Sequence, residues 1–345
     1  MKINKLIAPS CEDEIKSNWK YKDKVYISCV CITFNHDKYI SDAIDSMLAQ
    51  VTDYRFEIII HDDLSTDKTR DILIDYKRRY PSIIKLILQD ENQYSKGKKI
   101  TQLAVEHAKG EYIALCEGDD FWLDYRKLQQ QYCALEESPN IDICFTSSLS
   151  FEKETKYGYI ADYFEHEYVF SLSEVIRGGG QFMPTPSIML RKVIISTMPE
   201  WYIQAPVGDL YVQIIGAIKG GALFLPLISS VYRINSINSW SEQQDNISQD
   251  KMIASIKGHN IAISGLTEMV PNNNVKDCNY LLSDVYFKMS IKSILKNNVP
   301  LFHEYIVKSW SLYKRINYRQ ILVYLFKNHV HYLIFAHKMK HKLLR

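Results

Sequence analysis

The chain has 345 residues, 46% of them hydrophobic and 24% charged, with 42 Lys and Arg against 40 Asp and Glu. This composition supports a sizeable core and excludes disordered and collagen-like classes, and the length allows one large domain or two modest ones. The net charge of +2 is unevenly spread: Leu301 to Arg345 hold nine basic residues and one acidic, Glu304, so this tail carries +8 and the rest −6.

No uncharged apolar run approaches the roughly 18 residues of a membrane-spanning helix. The apolar stretch in residues 1–9 is too short for a signal peptide, so a cytoplasmic location is expected. Seven cysteines show no zinc-type pairing. Cys29 and Cys31 would share one strand face and read as small core residues in a reducing compartment.

Residues 25–33 (VYISCVCIT) are β-branched and almost continuously apolar, as a strand buried on both faces should be. Ile40, Ala43, Ile44, Met47 and Leu48 then recur at helical spacing. Residues 56–60 predict a second buried strand, ending at His61-Asp62-Asp63. Ser65-Thr66-Asp67 supply capping groups for a helix through Ile72, Leu73 and Tyr76, stopped by Pro81. Residues 83–88 predict a third strand, and the polar loop 89–98 leads to a helix over 99–109 with Gly110 at C′. Residues 112–116 predict a fourth strand, running into Glu117-Gly118-Asp119-Asp120. This alternation predicts parallel βαβ units in an α/β sheet flanked by helices. Further on, 141–147 and 187–190 read as strands, 207–219 as a helix ending at Gly220-Gly221, and 222–234 as a long extended stretch. From Ser241 the pattern is mostly helical.

Thr33-Phe34-Asn35, Asp62-Asp63 and Glu117–Asp120 each follow a predicted strand, at the sheet edge where open parallel sheets bind ligands. Helix capping accounts for Ser65 and Asp67. It does not require three acids within four positions, so Asp62-Asp63 and 117–120 are read as functional. Glu117 and Asp119, one residue apart in a turn, suit a hard cation, Mn²⁺ or Mg²⁺, with a diphosphate and water completing its shell. There is no GxxxxGK[ST] and no GxGxxG after a strand, and Gly178-Gly179-Gly180 lacks a preceding strand. A P-loop kinase or a dinucleotide dehydrogenase is therefore unsupported.

The segments ISCVCITFNHDKYI, EIIIHDDLSTDKTRDIL, GEYIALCEGDDFWLDYRKLQQQ, MPTPSIMLRK, VGDLYVQIIGAIKGG and VYRINSINSWS occur in that order over residues 25–241. Together they resemble the catalytic core of the family 2 glycosyltransferases, inverting enzymes of GT-A fold, in the EGDD form of a bacterial subgroup. The resemblance implies an N-terminal extension over 1–24, a GT-A domain over 25–241 and a helical C-terminal region with a basic tail over 242–345. It implies metal-dependent transfer of a sugar from a nucleotide-sugar, UDP-linked, to a hydroxyl of a glycan or lipid-linked glycan in surface polysaccharide synthesis.

Residue by residue, it implies that Thr33, Phe34 and Asn35 contact the nucleotide and that Asp62 and Asp63 lie near base and ribose. Glu117-Gly118-Asp119 takes the place of the DxD motif, with Asp119 and Glu117 as metal ligands, and Asp120 orders the loop or the donor sugar. Asp209 matches the catalytic acid and would act as general base; on spacing alone it could equally cap the helix that follows. Asn235 stands where many relatives carry a histidine that is sometimes a metal ligand. Arg233 could pair with phosphate or brace the loop, Trp240 could face the acceptor or sit in the core, and Lys98 and Lys99 could meet donor phosphates or start a solvated helix.

Two other functions share some of these features: a sugar-phosphate nucleotidyltransferase, which would want a Gly-rich basic loop after the first strand, and an inactive glycan-binding or scaffold module. In the tail, the apolar blocks 320–326 and 330–336 read either as an interfacial helix on the inner face of a membrane or as a terminal helix packed on the body. His337 and His341 could share a metal but read as solvated. No nucleic-acid module accompanies the basic tail, so no nucleic-acid partner is expected.

Overall fold

The computed structural model describes residues 3–152, 156–234, 236 and 247–334. The chain divides into two compact units, residues 1–203 with 207–246 and residues 204–206 with 247–345. In the first unit, α1 (Glu12–Ser17) precedes β1 (Ile27–Thr33), α2 (Ile40–Leu48), β2 (Phe56–Asp62), α3 (Thr69–Arg79), β3 (Ile84–Leu88), α4 (Ile100–Val105) and β4 (Tyr112–Leu115). These strands pair in parallel in the order β3-β2-β1-β4. β1 is buried on both faces: Ile27, Ser28, Cys29 and Cys31 have no exposed surface.

The unit continues with β5 (Phe121–Trp122), α5 (Lys127–Glu137), β6 (Ile143–Glu152), β7 (Lys156–Ile160), β8 (Tyr168–Phe170), α6 (Leu172–Gly178), β9 (Met189–Arg191), α7 (Val193–Ser196), α8 (Gly208–Gly216) and β10 (Ala222–Ile234). β9 runs antiparallel between β4 and β6, β10 is parallel to β6, and β5 closes the order β3-β2-β1-β4-β9-β6-β10-β5. The result is an α/β fold on a curled mixed sheet. The segment before β1 packs into it from residue 3 on: Ile15 and Trp19 join the main core, and the Glu12 carboxylate accepts the amides of Ser82 and Ile83.

Several boundaries differ from the sequence reading, each for a local reason. β2 runs on to Asp62 because its pairing continues, Asp62 lying opposite Thr33 on one side and Leu88 on the other. Ser65 does not cap α3; its hydroxyl accepts the Asn35 amide, and Asp67 alone meets the helix entrance, through the Thr69 amide at 2.9 Å. α4 ends at Val105, and Gly110 is not a left-handed C′ residue. It must be glycine because its backbone lies on β1, where a Cβ would stand 2.6 Å from the Ser28 nitrogen. α8 is shorter than predicted, and it is Gly221, at φ +83°, that takes the left-handed conformation after it.

β10 contains a register break that matters for the site. Between Leu225 and Ser230 it advances five residues while β6 advances two, from Thr146 to Ser148. Pro226, which has no amide to donate, sits in this bulge. An odd excess of three residues reverses which side chains face each way beyond it.

The second unit is helical: α9 (Gln249–Met269), α10 (Val275–Leu295), α11 (Val299–Leu312) and α12 (Tyr318–Leu325). Ser248, Asn298 and Asn317 cap α9, α11 and α12 through their side-chain oxygens. Phe287, Ile294, Phe302 and Ile306 form its apolar cluster. Among the described residues no helix is long and apolar enough to cross a membrane.

The contact of Gly110 with β1 yields a first prediction. Gly110→Ala should lower unfolding free energy by about 1–3 kcal/mol, because the backbone must shift to admit the methyl group. Urea denaturation followed by circular dichroism would measure it.

Candidate active site

The site grows from the end of β1. Hydrogen bonding between β1 and β4 continues past β4 itself: the Cys116 amide reaches Val30 O at 3.1 Å and the Gly118 amide reaches Ile32 O at 2.9 Å. The acidic loop is thereby laid along the last turns of β1. Gly118 has no room for a side chain, since a Cβ there would stand 2.7 Å from Thr33 Oγ1 and 2.8 Å from His36 Nδ1.

This path brings Glu117, Asp119 and Asp120 together, with one carboxylate oxygen from each within 4.8 Å of the others. Burial pushes the Glu117 carboxyl up, and the charges of Asp119 and Asp209 push it further. Asp120 is raised well above the usual carboxylate range by burial and by its two acidic neighbours. Asp120 Oδ1 accepts the Arg233 amide at 2.8 Å, while Oδ2 is buried without a partner. Three hard oxygen donors, a buried orphan oxygen and mutual repulsion fit a divalent cation. Asp120 thus stands with Glu117 and Asp119, the two residues read from the sequence as candidate ligands, and its adjacency to Asp119 was the available signal.

Arg233 sits beyond the β10 bulge, only 5% exposed. Its Nη1 donates to Asp119 O at 2.5 Å, its Nη2 donates to Asp42, and its guanidinium lies 4.6 Å from the Phe121 ring centroid. Its fork is directed at the acidic loop and α2, which is the bracing arrangement of the two open at the sequence level. Ser236 adds a hydrogen bond from Oγ to Asp119 Oδ2 at 2.5 Å. Asp42 and Ser236 carried no motif, and sequence reasoning missed both. Asn235 and Trp240, and His337 and His341 in the tail, lie outside the described residues.

Asp209 is in the first turn of α8, and the capping position belongs to Val207, so Asp209 does not cap the helix. Its Oδ1 accepts the Leu210 amide at 2.8 Å and its Oδ2 accepts Thr185 Oγ1 at 3.4 Å. Burial raises its carboxyl; the two hydrogen bonds and the positive charge of Lys99 oppose that rise. Lys99 is not a solvated helix start: it is partly buried, lies 5.4 Å from the Tyr202 ring centroid, and burial lowers its own pKa. Thr185 also borders a small cavity with Glu117, Val30 and Leu115, linking the Asp209 side to the acidic loop.

The remaining predicted residues frame the site. Thr33 Oγ1 is buried and unpartnered, and Phe34 is 37% exposed. Asn35 adopts φ +56°, and its Oδ1 accepts the Thr66 amide at 2.7 Å. Asp62 is fully buried, ion-paired with Arg70 Nε at 2.6 Å, and its Oδ1 has no partner. Asp63 accepts the amides of Gln93 at 2.7 Å and Tyr94 at 3.0 Å, so it holds the 92–94 loop in place. Lys98 is exposed.

Residues 28–197 match the model of Glycosyl transferase family 2. This stretch is a family 2 glycosyltransferase domain. An uncharacterised protein of Mycobacterium bovis is 32% identical over 224 residues, spanning 62% of this chain and 60% of the relative. The chain therefore spans less than two thirds of that relative's length. The poly(ribitol-phosphate) beta-glucosyltransferase of Bacillus spizizenii is 34% identical over 113 residues, 30% of this chain and 18% of that protein. Among solved structures, S. aureus TarS 1-349 in complex with UDP-GlcNAc superposes with a TM-score of 0.53 at 17% identity, covering 86% of this chain and 92% of that one. The mannosyltransferase PcManGT of Pyrobaculum calidifontis, in complex with GDP-Man and Mn²⁺, does so with 0.50 at 12% identity over 92% and 90%. At these identities the shared feature is the GT-A fold of the glycosyltransferase domain.

The buried fork of Arg233 yields a second prediction. Arg233→Met should cost about 3 kcal/mol of stability, since it leaves the acidic loop without its buried cation and Asp42 with only the exposed Lys5. Arg233→Lys should recover only part of that, because an ammonium cannot span both partners. Chemical denaturation of the two variants would separate charge from geometry.

Proposed function

We propose that the protein is a metal-dependent inverting glycosyltransferase that moves a sugar from a UDP-linked donor to a hydroxyl of a glycan or lipid-linked glycan in surface polysaccharide synthesis. The observation that carries this reading is the coexistence of two acidic centres within electrostatic reach of each other. One is the Glu117–Asp120 cluster at the end of β4; the other is Asp209 at the start of α8. The donors in the two solved structures, UDP-GlcNAc and GDP-Man with Mn²⁺, support a nucleotide-sugar and a divalent metal.

In this reading Glu117, Asp119 and Asp120 hold the metal. When bound, it supplies charge neutralisation for the departing nucleoside diphosphate. Arg233 and Ser236 keep Asp119 and Asp120 in register with that task. Thr33, Phe34 and Asn35 form the nucleotide side of the site. Asp62 and Asp63 act there chiefly by holding Arg70 and the 92–94 loop. Asp209 removes the acceptor hydroxyl's proton while that oxygen attacks the anomeric carbon. The new C–O bond forms as the bond to the diphosphate breaks on the opposite face, which inverts the anomeric centre. The Leu210 amide and the Thr185 hydroxyl fix the carboxylate's orientation, and Lys99 favours its charged form.

Asp209→Asn should reduce sugar transfer by about 10²–10⁴-fold while binding of UDP with Mn²⁺ is unchanged. Asp119→Ala should abolish the Mn²⁺-dependent part of that binding, read by titration calorimetry. Full transfer by Asp209→Asn would remove Asp209 from the chemistry.

Lys99 gives a pH test. Its cation holds Asp209 below the pKa that burial alone would impose. Removing it in Lys99→Met should raise the Asp209 pKa, so the base form is lost at higher pH. The acidic limb of the kcat/KM profile should move to higher pH while the alkaline limb stays in place.

A further inference from the structure

Helix α12 is held in one rotational setting. Gln320 is fully buried; its Nε2, with two hydrogens to donate, lies 2.9 Å from Ser309 Oγ, 3.0 Å from Tyr313 O and 3.1 Å from Ser283 Oγ, while its Oε1 accepts the Ile316 amide at 3.1 Å. Val323 and Tyr324, on the same face, pack on the cluster of α10 and α11, and the Tyr324 ring stacks on Trp310 at 4.3 Å. The inward face is therefore polar at its centre and fully occupied.

The opposite face is apolar. Tyr318, Leu322, Leu325 and Phe326 recur at i, i+4, i+7 and i+8, and are exposed by 67%, 48%, 64% and 46%. Such spacing places them in one stripe, which a surface helix of a soluble protein normally turns toward the core. Lys314, Arg315 and Arg319 are exposed around the start of this helix. In the sequence no acidic residue follows Glu304, and nine Lys and Arg do.

We propose that this face of α12 seats in the interface of an anionic lipid bilayer. The stripe meets the acyl boundary while the lysines and arginines meet lipid phosphates. Charge argues against a second copy of the chain, which would bring two strongly basic tails together. Nucleic acid would answer the charge but offer no apolar surface to Leu322 and Leu325. The inference stands apart from the sugar chemistry, and its test uses no donor or acceptor.

The full chain should co-sediment with vesicles of phosphatidylcholine and phosphatidylglycerol, far less with phosphatidylcholine alone, and high salt should release it. Leu322→Glu/Leu325→Glu alters only exposed positions, and its circular dichroism should match the parent. Its vesicle affinity should fall by about tenfold or more. Arg315→Glu/Arg319→Glu should weaken binding to the anionic vesicles alone. Equal sedimentation of parent and Leu322→Glu/Leu325→Glu would overturn the proposal. So would equal binding to both kinds of vesicle. A dimer of the parent that the leucine variant dissolves, with no vesicle binding by either, would instead assign the face to self-association.

Discussion

Arg233 lies near the end of a thirteen-residue strand and reaches two elements far from it in sequence. Through one guanidinium and one amide it holds Asp119 O, Asp120 Oδ1 and Asp42, which tie β10 to the acidic loop and to α2. Three acids crowded at the end of β4 would otherwise repel each other and draw in water. A buried cation that donates to the loop's backbone relieves part of this repulsion without placing its own charge among the three carboxylates. The bulge at Pro226 is what aims Arg233 there, since the extra residues reset the parity of everything beyond it.

The same crowding sets the chemistry. A carboxyl useful as a base has to be charged near neutral pH, yet burial and like charges favour its protonated form. In the proposed reaction Asp209 would be that base; burial raises its carboxyl, while a backbone amide, a threonine hydroxyl and the cation of Lys99 oppose the rise. Glu117 has no such compensation, and at Asp120 the amide and charge of Arg233 only partly offset burial and the two neighbouring acids. On the proposed reading a divalent cation corrects that imbalance on one side, while Lys99 supplies a cation on the other.

The uneven charge of the chain follows the division into two units. The acidic excess falls on the part that carries the glycosyltransferase domain; the basic excess falls in the helical unit, near an outward apolar stripe that its own core does not use. Gln320 opposes a rotation of α12 that would hide that stripe, because turning it would take the buried amide away from its partners.

Much of the site was legible without coordinates. Continuous apolar runs ending in polar loops located β1, β2 and β4, and parallel strands necessarily share their carboxyl edge, so residues 33–35, 62–63 and 117–120 had to converge. The bounds of β10, 222–234, were legible for the same reason. Helix ends were less so, since Gly110 answers to the backbone of β1 rather than to its own helix. Nor could the sequence reveal the partners of Arg233 and Asp119, which lie 114, 191 and 117 residues away. Local pattern decides which elements form and which ends carry acids. Only the packed sheet decides that Asp120 joins the cluster of Glu117 and Asp119, that Asp209 is no cap and that the charge of Lys99 acts on it, because those depend on contacts between segments that no periodicity encodes.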